Sequence, residues 1–440
     1  MKEGATKWAS FKPSCVEAKR HLYSTRAVEK RISKDPQWNT KPRAFMLRYV
    51  VDAIIRHRLG VMRYAHRRSV PARLHSQALK GAIGNDYKAA LQWLMDEGLV
   101  GTDGEWRKGE KATGYFLTKR GWQGGIVPVE LDDRQAARYL QARARLKKDS
   151  DEKRKAEGVP MDYLLFHLGK LSWPDGAVEE HFERLPVVEE RWQDAAKVEA
   201  HAYAVSLMRE RDWTFTRCRA GRLHWWMTNL PKALRRGVQY DGEELVEIDV
   251  SSCQPFLAAK LYEDALASRP DWPWVEDFIA NEKRRYLEDV IGGVFYEQIG
   301  EAIGFKGKRS DLKQAILGEV FFSSKEQAAQ SEIVEFFANA YGVLWGEILK
   351  SKMRLRVWSG DSDLALRLQG IEARIVIDGA LARIAREMPG VPVFPVHDCL
   401  MTLNRHATEV ERIMAEEFEA AMGIAPSFSV KKTTKNAGRF

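Results

Sequence analysis

The stretch Val246–Phe256 reads VEIDVSSCQPF, and it decides the fold that we predict for this chain. An apolar run reaches Asp249 and passes into small and polar residues, and apolar residues continue beyond Phe256 at helical spacing. This pattern predicts a buried strand that ends in a carboxylate, followed by a turn and a helix. An aspartate at a strand end often only begins a turn, so the interpretation depends on the rest of the chain.

A second predicted strand, Val391–Asp398 (VPVFPVHD), also ends in an aspartate. The largely apolar residues Leu400–Leu403 follow it, so the sequence predicts a hairpin with Asp398 at its tip. Magnesium is a hard cation that takes oxygen ligands. Two carboxylates at the tips of adjacent core strands, Asp249 and Asp398, would therefore suit a magnesium site.

A stripe of two cations and two apolar side chains is predicted on a later helix. Arg309, Lys313, Leu317 and Phe321 recur at every fourth residue, which places them on one helix face. The cations could bind a triphosphate at one end of the stripe, and the aromatic ring could stack on a base at the other. The alternative interpretation is an amphipathic helix whose cations lie at the edge of the core.

A glycine and an arginine precede a polar loop earlier in the chain. Gly221 and Arg222 are followed by Thr228-Asn229-Leu230-Pro231. A glycine allows close approach of the backbone, so this segment could contact a phosphate or a base pair. Taken alone, it could equally be an ordinary loop.

The N-terminal region shows the order helix, turn, helix, hairpin. A helical pattern covers 43–68, a short helix and turn are predicted at 74–84, a second helix at 87–97 and a hairpin at 99–118. The hairpin tip carries the cations Arg107, Lys108 and Lys111. This order is typical of a winged helix, whose second helix and wing commonly contact nucleic acid. The alternatives are a small structural subdomain or a module that docks protein.

Bulk composition limits the class of protein. The 440 residues predict two or three domains, and the net charge of +9 favours a polyanionic partner. Residues 132–200 are strongly charged and helical, as solvated helix faces usually are. No apolar window suggests a signal peptide or a membrane span, and the 4 cysteines have no zinc or disulfide spacing, so we expect a cytoplasmic protein with reduced thiols.

Taken together, the motifs resemble the polymerase domain of family A DNA polymerases, the DNA polymerase I type. That family carries D-x-S-x-x-E on one strand, R-x-x-x-K on its nucleotide-binding helix, and V-H-D-E at the second carboxylate. It also carries T-G-R-L with a downstream P-N-L, and a Q-G element before the last motif. The matching positions, in the same order, are Asp249, Ser251 and Gln254; Arg309 and Lys313; Val396, His397 and Asp398; Gly221, Arg222, Leu223, Asn229 and Leu230; and Gln369 and Gly370.

The resemblance implies an α+β right-hand polymerase with palm, fingers and thumb, and with an N-terminal helical, winged-helix-like domain. It implies two Mg²⁺ ions, for which Mn²⁺ could substitute, held by Asp249, Asp398 and the Val250 carbonyl. It further implies primer-template DNA and dNTPs as partners. The implied nucleotide-binding residues are Arg309, Lys313, Leu317, Phe321 and Gln254, and the implied DNA-binding residues are Gly221, Arg222, Asn229, Gln369 and His397, besides the wing cations.

The departures from the family pattern leave alternatives open. Gln254 replaces a glutamate that in the family helps to exclude a ribose 2′-hydroxyl, Leu317 and Phe321 replace aromatics, and Cys399 follows His397-Asp398 where the family has glutamate. Single-subunit RNA polymerases carry H-D-S at this place, so a primase or an RNA polymerase that uses rNTPs is the first alternative. The second is an inactive, polymerase-like regulator that binds DNA.

The expected domains are a lead-in (1–40), a winged-helix-like domain (41–130), a helical thumb-like region (131–215), and palm and fingers (216–440). The residues before Arg217 show no exonuclease motif. The closest comparison is therefore the short, exonuclease-free members of the family on mobile elements. Some of these resemble enzymes that start chains with a partner, so a small accessory protein is expected as a further partner.

Overall fold

In a computed structural model, the structure describes residues 21–61, 71–105, 112–183, 201, 204–209, 211, 213, 215–268, 273–322, 331–353 and 363–432. The chain divides into two compact units. The N-terminal unit comprises Met1–Lys153, Asp175–Thr214 and Trp225–Arg235. The C-terminal unit comprises Arg154–Pro174, Phe215–His224 and Arg236–Phe440.

The N-terminal unit contains two small antiparallel sheets. Its strands are β1 (His21–Thr25), β2 (Ala72–Arg73), β3 (Val100–Thr102), β4 (Gly114–Leu117) and β5 (Ile126–Glu130). One sheet pairs β1 with β5, and the other has the order β2-β4-β3. Part of the expected lead-in is thus built into this unit, because the buried residue Leu22 lies on β1 and Val28 lies on the helix that follows.

The helices that lie wholly or mainly outside the C-terminal unit span Arg26–Ile32, Lys41–Val61, Ser76–Ile83, Tyr87–Asp96, Asp133–Ala156, Ala177–Glu183, Trp226–Asn229 and Lys232–Arg236. The helices Ser76–Ile83 and Tyr87–Asp96, followed by a hairpin, confirm the predicted order of helix, helix and hairpin. The hairpin is formed by β3 and β4, with Val100 opposite Leu117. The predicted wing cations Arg107, Lys108 and Lys111 lie outside the described residues.

The C-terminal unit contains a six-stranded antiparallel sheet. The strands of this unit are β6 (Leu171–Ser172), β7 (Thr216–Arg217), β8 (Leu223–His224), β9 (Gln239–Tyr240), β10 (Glu243–Val250), β11 (Val393–Val396), β12 (Cys399–Leu403) and β13 (Phe428–Lys432). The order is β11-β12-β10-β9-β6, β13 also pairs with β10, and β7 and β8 form a separate hairpin. β10 has neighbours on both edges, and its run Leu245–Ile248 is buried.

This unit also contains a set of helices, some of which share an aromatic core. They span Met161–Leu168, Cys253–Ala258, Leu261–Ala267, Pro273–Ile291, Phe295–Ala302, Arg309–Ile316, Glu332–Ala340, Gly342–Met353, Asp363–Ala373, Ala382–Glu387 and Ala407–Met422. Two π-helical segments, Leu317–Phe322 and Arg374–Leu381, continue helices of the set. Tyr286, Phe295 and Phe337 are buried and pack edge to face in the aromatic core. In the described part of the chain, no helix combines the length and the apolar character needed to cross a membrane.

Candidate active site

Asp249 lies at the tip of the central strand, as predicted. It is opposite Cys399 on β12 and opposite Ser429 on β13. The strand ends at Val250, and the helix that begins at Cys253 is entered through Ser252 in the left-handed conformation, with φ of 51°. Non-glycine residues are uncommon in this conformation, so the turn directly after Asp249 is sharp and locally costly.

Asp398 lies in a two-residue turn between β11 and β12, which confirms the predicted hairpin. Val396 and Cys399 form the last pair of the hairpin, and His397 takes φ of 58° in the turn. The backbone N–H of Val250 donates to the backbone carbonyl of Asp398 over 3.3 Å. The two aspartate-bearing tips are therefore joined directly at one end of the sheet.

The electrostatics at these tips favour a cation. The pKa of Asp398 is raised to about 7, chiefly by burial and then by the negative charges of Glu372 and Asp249, against the lowering effect of Arg222. Burial also raises the pKa of Glu372. A divalent cation beside Asp398 would relieve this concentration of carboxylates, because an opposite charge favours the ionised form.

The donor set suits Mg²⁺ in chemistry, since Asp249, Asp398 and the Val250 carbonyl all offer oxygen. Asp249 is paired with Lys431 of β13 at 2.6 Å, so a cation would compete with this ion pair. Within the described ranges, no group of three or more His, Cys, Asp or Glu side chains is arranged to hold a metal. Any metal would thus depend on two carboxylates, backbone and water, which is how Mg²⁺ is commonly bound.

A buried polar cluster adjoins the two aspartates. The Arg222 Nε donates to Glu372 Oε1 at 2.7 Å, and the Arg222 Nη2 donates to Glu372 Oε2. Gln254 Nε2 donates to the same Oε2 at 2.6 Å. Glu372 is 0% exposed, so its charge depends on these donors. The cluster unites the predicted residues Arg222 and Gln254.

The hairpin of β7 and β8 packs on the helix that carries Glu372. Gly221 has φ of 82°, and a Cβ at this position would lie 3.2 Å from the Cβ of Ala373. Only glycine meets both demands without strain, because the left-handed conformation and the close approach coincide. Gly370, on the same helix, faces the carbonyl of Ala220, and Gln369 beside it is half-buried. The predicted elements around Gly221 and Gln369 are therefore neighbours.

Two histidines lie together beside the aspartate turn. The rings of His224 and His397 are 5.5 Å apart in an edge arrangement. Burial lowers the pKa of His224, and the charge of Arg222 acts in the same direction. A neutral imidazole can both donate and accept hydrogen bonds, which suits a contact to DNA bases or sugars.

The predicted triphosphate cations are exposed at the start of their helix. Arg309 pairs with Glu297 at 2.5 Å, with side chains 60% and 42% exposed. Arg309 and Lys313 both lie over the ring of Tyr296, at 5.5 Å and 5.9 Å from its centroid. The two cations therefore lie over the same aromatic ring.

The prediction of one continuous stripe is wrong beyond Lys313. The α-helix gives way to a π-helix at Leu317–Phe322, whose wider turn no longer returns every fourth residue to the same face. Leu317 is half-buried, and Phe321 is fully buried with its ring 5.8 Å from that of Phe337. In this conformation Phe321 cannot stack on a base.

Asn229 belongs to the N-terminal unit, on the short helix Trp226–Asn229.

Sequence reasoning missed several residues of the site. Glu372, Tyr296, Glu297 and Lys431 all contact predicted site residues. Glu372 could have been found, because an acidic residue in the apolar stretch of the Asp363–Ala373 helix needs a buried partner. Lys431 offered no such signal, since a lysine near the end of the sequence is ordinary.

No protein-family model and no curated protein matches the sequence. Similar solved structures include the POL domain of Pol1 from M. smegmatis in a complex with DNA primer-template and dNTP. This chain is 13% identical to that one, with a TM-score of 0.27, and the match covers 58% of this chain and 55% of the other. The chain thus spans about half the length of that structure.

Proposed function

We propose that the protein is a template-directed DNA polymerase of the family A type that transfers nucleotides by a two-metal mechanism. The observation that carries the proposal is the direct junction of the Asp249 and Asp398 tips through the 3.3 Å bond between Val250 and Asp398. Two carboxylates on adjacent strands, with exposed cations in the same unit, suit the transfer of a nucleotide from a triphosphate.

Asp249, Asp398 and the Val250 carbonyl would hold two Mg²⁺ ions, with Mn²⁺ as a substitute. When bound, the ions would activate a primer 3′-hydroxyl and neutralise the pyrophosphate that leaves. Arg309 would bind the triphosphate with a planar fork of donors, and Lys313 with a point charge.

The contacts to DNA would come from the cluster around Glu372. Glu372 accepts hydrogen bonds from two of the three guanidinium nitrogens of Arg222. It would therefore fix the direction in which the third nitrogen contacts the primer or template. Gly221, Gln369 and His397 would contact the same duplex end. The Arg222 pair therefore has a positioning function as well as a binding function.

In this proposal the sheet of the C-terminal unit is the palm, and the helices around Arg309 are the fingers. The helical region 131–215 would serve as a thumb, and 41–130 as a winged-helix-like domain that binds DNA through Arg107, Lys108 and Lys111. We further propose that the enzyme lacks a proofreading exonuclease, acts in the cytoplasm as mobile-element polymerases do, and works with a small accessory protein.

A second candidate function is RNA synthesis or priming with rNTPs. Gln254 gives its amide N–H to Glu372, and its Oε1 is buried without a hydrogen-bond partner among the described residues. A ribose 2′-hydroxyl could donate to this oxygen, and a buried acceptor left unsatisfied is costly. An inactive regulator is a weaker candidate, because both aspartates and both cations are retained.

A primed-template extension assay tests these functions. dNTPs and rNTPs are supplied in parallel, with and without Mg²⁺, and Asp249→Asn serves as the inactive control. We expect Mg²⁺-dependent extension with dNTPs. Extension with rNTPs alone would favour the second candidate, and no extension with either substrate, by a protein that still binds DNA, would favour the regulator.

A further inference from the structure

Tyr296 lies beneath the two cations that we assign to the triphosphate. It is on the helix Phe295–Ala302 and is 1% exposed. The guanidinium of Arg309 is 5.5 Å from the ring centroid, and the ammonium of Lys313 is 5.9 Å from it. Both distances are within the range in which a ring face attracts a cation, about 6 Å.

The shared ring offsets the repulsion between the two cations. Arg309 and Lys313 are one turn apart on the same helix, and like charges at this spacing repel. Glu297 offsets only the charge of Arg309. The negative face of Tyr296 is close to both cations, so it can keep them side by side when no phosphate is present.

The polar end of Tyr296 faces the aspartate turn. The pKa of Tyr296 is raised to about 12, chiefly by burial and against a lowering effect of the nearby Ser252. Ser252 is the left-handed residue in the turn after Asp249 and Val250. The side chain of Tyr296 is therefore near both the cations and the turn that follows the first aspartate.

The connection leaves the cations able to bind a ligand. An ion pair such as that of Glu297 with Arg309 occupies N–H donors that a phosphate would need. An aromatic face attracts the positive charge but does not occupy the N–H donors as a carboxylate does, so these donors stay available to a phosphate. A triphosphate could displace Glu297 from Arg309 and leave the contact with Tyr296 in place.

We propose that Tyr296 is a positioning residue that holds Arg309 and Lys313 as one triphosphate-binding pair at a fixed reach from the Asp249 turn. The inference rests on the proposed function, because it specifies how the substrate phosphates are bound. The ring carries the effect, and the hydroxyl is buried without a hydrogen-bond partner among the described residues.

The test compares Tyr296→Leu with Tyr296→Phe and with Phe295→Leu. Phe295 is the matched control, since it is the adjacent buried aromatic on the same helix and packs on Phe337 and Tyr341. Binding of inorganic tripolyphosphate is measured by calorimetry, and the KM and kcat for dNTP are measured in primed extension. Thermal unfolding shows that each variant is folded.

We expect Tyr296→Leu to weaken tripolyphosphate binding and to raise the KM by about tenfold, as expected for the loss of two solvent-exposed cation–π contacts. We expect kcat to change little, and Tyr296→Phe to restore both quantities because it keeps the ring. Should Tyr296→Leu fail to fold, Tyr296→Met takes its place, since methionine fills an irregular space without a ring face.

Equal shifts in Phe295→Leu and Tyr296→Leu would overturn the proposal, as would a Tyr296→Phe variant as weak as Tyr296→Leu. The binding measurement separates this result from the proposed function. If no variant and no wild-type protein extends a primer, but tripolyphosphate binding follows the expected order, the positioning role stands and the polymerase proposal fails.

Discussion

The backbone N–H of Val250 and the backbone carbonyl of Asp398 are hydrogen-bonded over 3.3 Å. The residues belong to segments that are distant in the sequence, and the bond joins the end of β10 to the turn between β11 and β12. It fixes Asp249 and Asp398 at one end of the sheet. The spacing of the two carboxylates is therefore set by backbone rather than by flexible side chains.

The first prediction concerns the two carboxylates. Asp249→Asn and Asp398→Asn should each reduce primer extension by about a thousandfold or more, because each removes a charged metal ligand at nearly constant shape. Extension is measured at saturating dNTP and Mg²⁺. Near wild-type extension by either variant would show that the site is assigned wrongly. Asp398→Asn should be at least as thermally stable as the wild type at pH 8, since it removes a crowded negative charge.

The second prediction concerns pH and metal. The folded pKa of Asp398 is about 7, above the ordinary value of 3.8. Protons therefore bind the folded state more tightly, and the stabilisation is full below about pH 4 and is lost as pH rises through about 7. Between pH 5 and pH 8 the metal-free protein should lose roughly 3 kcal/mol of unfolding free energy from this group.

Added Mg²⁺ should restore that stability at pH 8 more than at pH 5, because it binds the ionised carboxylates of the folded state. Urea unfolding at both pH values, with Mg²⁺ or with chelator, measures the effect. Asp398→Asn is the control and should show a weaker dependence on pH and on Mg²⁺. If the unfolding free energy of the wild-type protein at pH 8 did not change with Mg²⁺, this would argue against a metal at these tips.

The third prediction concerns the ion pair between Glu297 and Arg309. Both side chains are substantially exposed, so the pair is worth at most about 1 kcal/mol. Glu297→Gln should therefore lower the KM for nucleotide by no more than about fivefold, since Arg309 no longer has to leave a carboxylate. The exposed Glu301 on the same helix provides the control variant, Glu301→Gln. A raised KM in Glu297→Gln would mean that Glu297 helps to bind the substrate.

The fourth prediction concerns Lys313. Lys313→Ala should raise the KM for nucleotide sharply and leave duplex affinity nearly unchanged, because we propose that Lys313 binds the triphosphate beside Arg309. Steady-state extension gives the KM, and fluorescence anisotropy with labelled duplex gives the affinity. The assignment is wrong if duplex binding collapses while the nucleotide requirement stays the same.

The fifth prediction concerns the buried pair of Arg222 and Glu372. Glu372→Met leaves Arg222 without its buried counter-charge and should cost about 3–5 kcal/mol of unfolding free energy. Arg222→Leu should cost a similar amount, and the double variant Arg222→Leu, Glu372→Met should recover much of it. Urea unfolding of the four proteins gives the coupling energy. Additive losses in the double variant would contradict a direct interaction between these side chains.

Local sequence patterns were sufficient for the elements that carry the two aspartates. The apolar run before Asp249 and the small residues after it specify strand, turn and helix, because each preference depends on neighbours a few residues away. The hairpin at Asp398 follows in the same way from two apolar runs around a short polar turn. The helices of the N-terminal region were also predictable from the spacing of their apolar residues.

Contacts between distant parts of the chain were decided only by the tertiary structure. Glu372 meets Arg222 across 150 residues and Lys431 meets Asp249 across 182 residues, and no periodic pattern links positions so far apart. The buried position of Phe321 likewise depends on a π-helix and on the ring of Phe337, since packing overrides the regular period of a helix. The sequence by itself thus determined which segments bear the charged groups. Only the packed sheet and helices determined which charges oppose one another, because electrostatic partners are set by spatial distance and not by position in the chain.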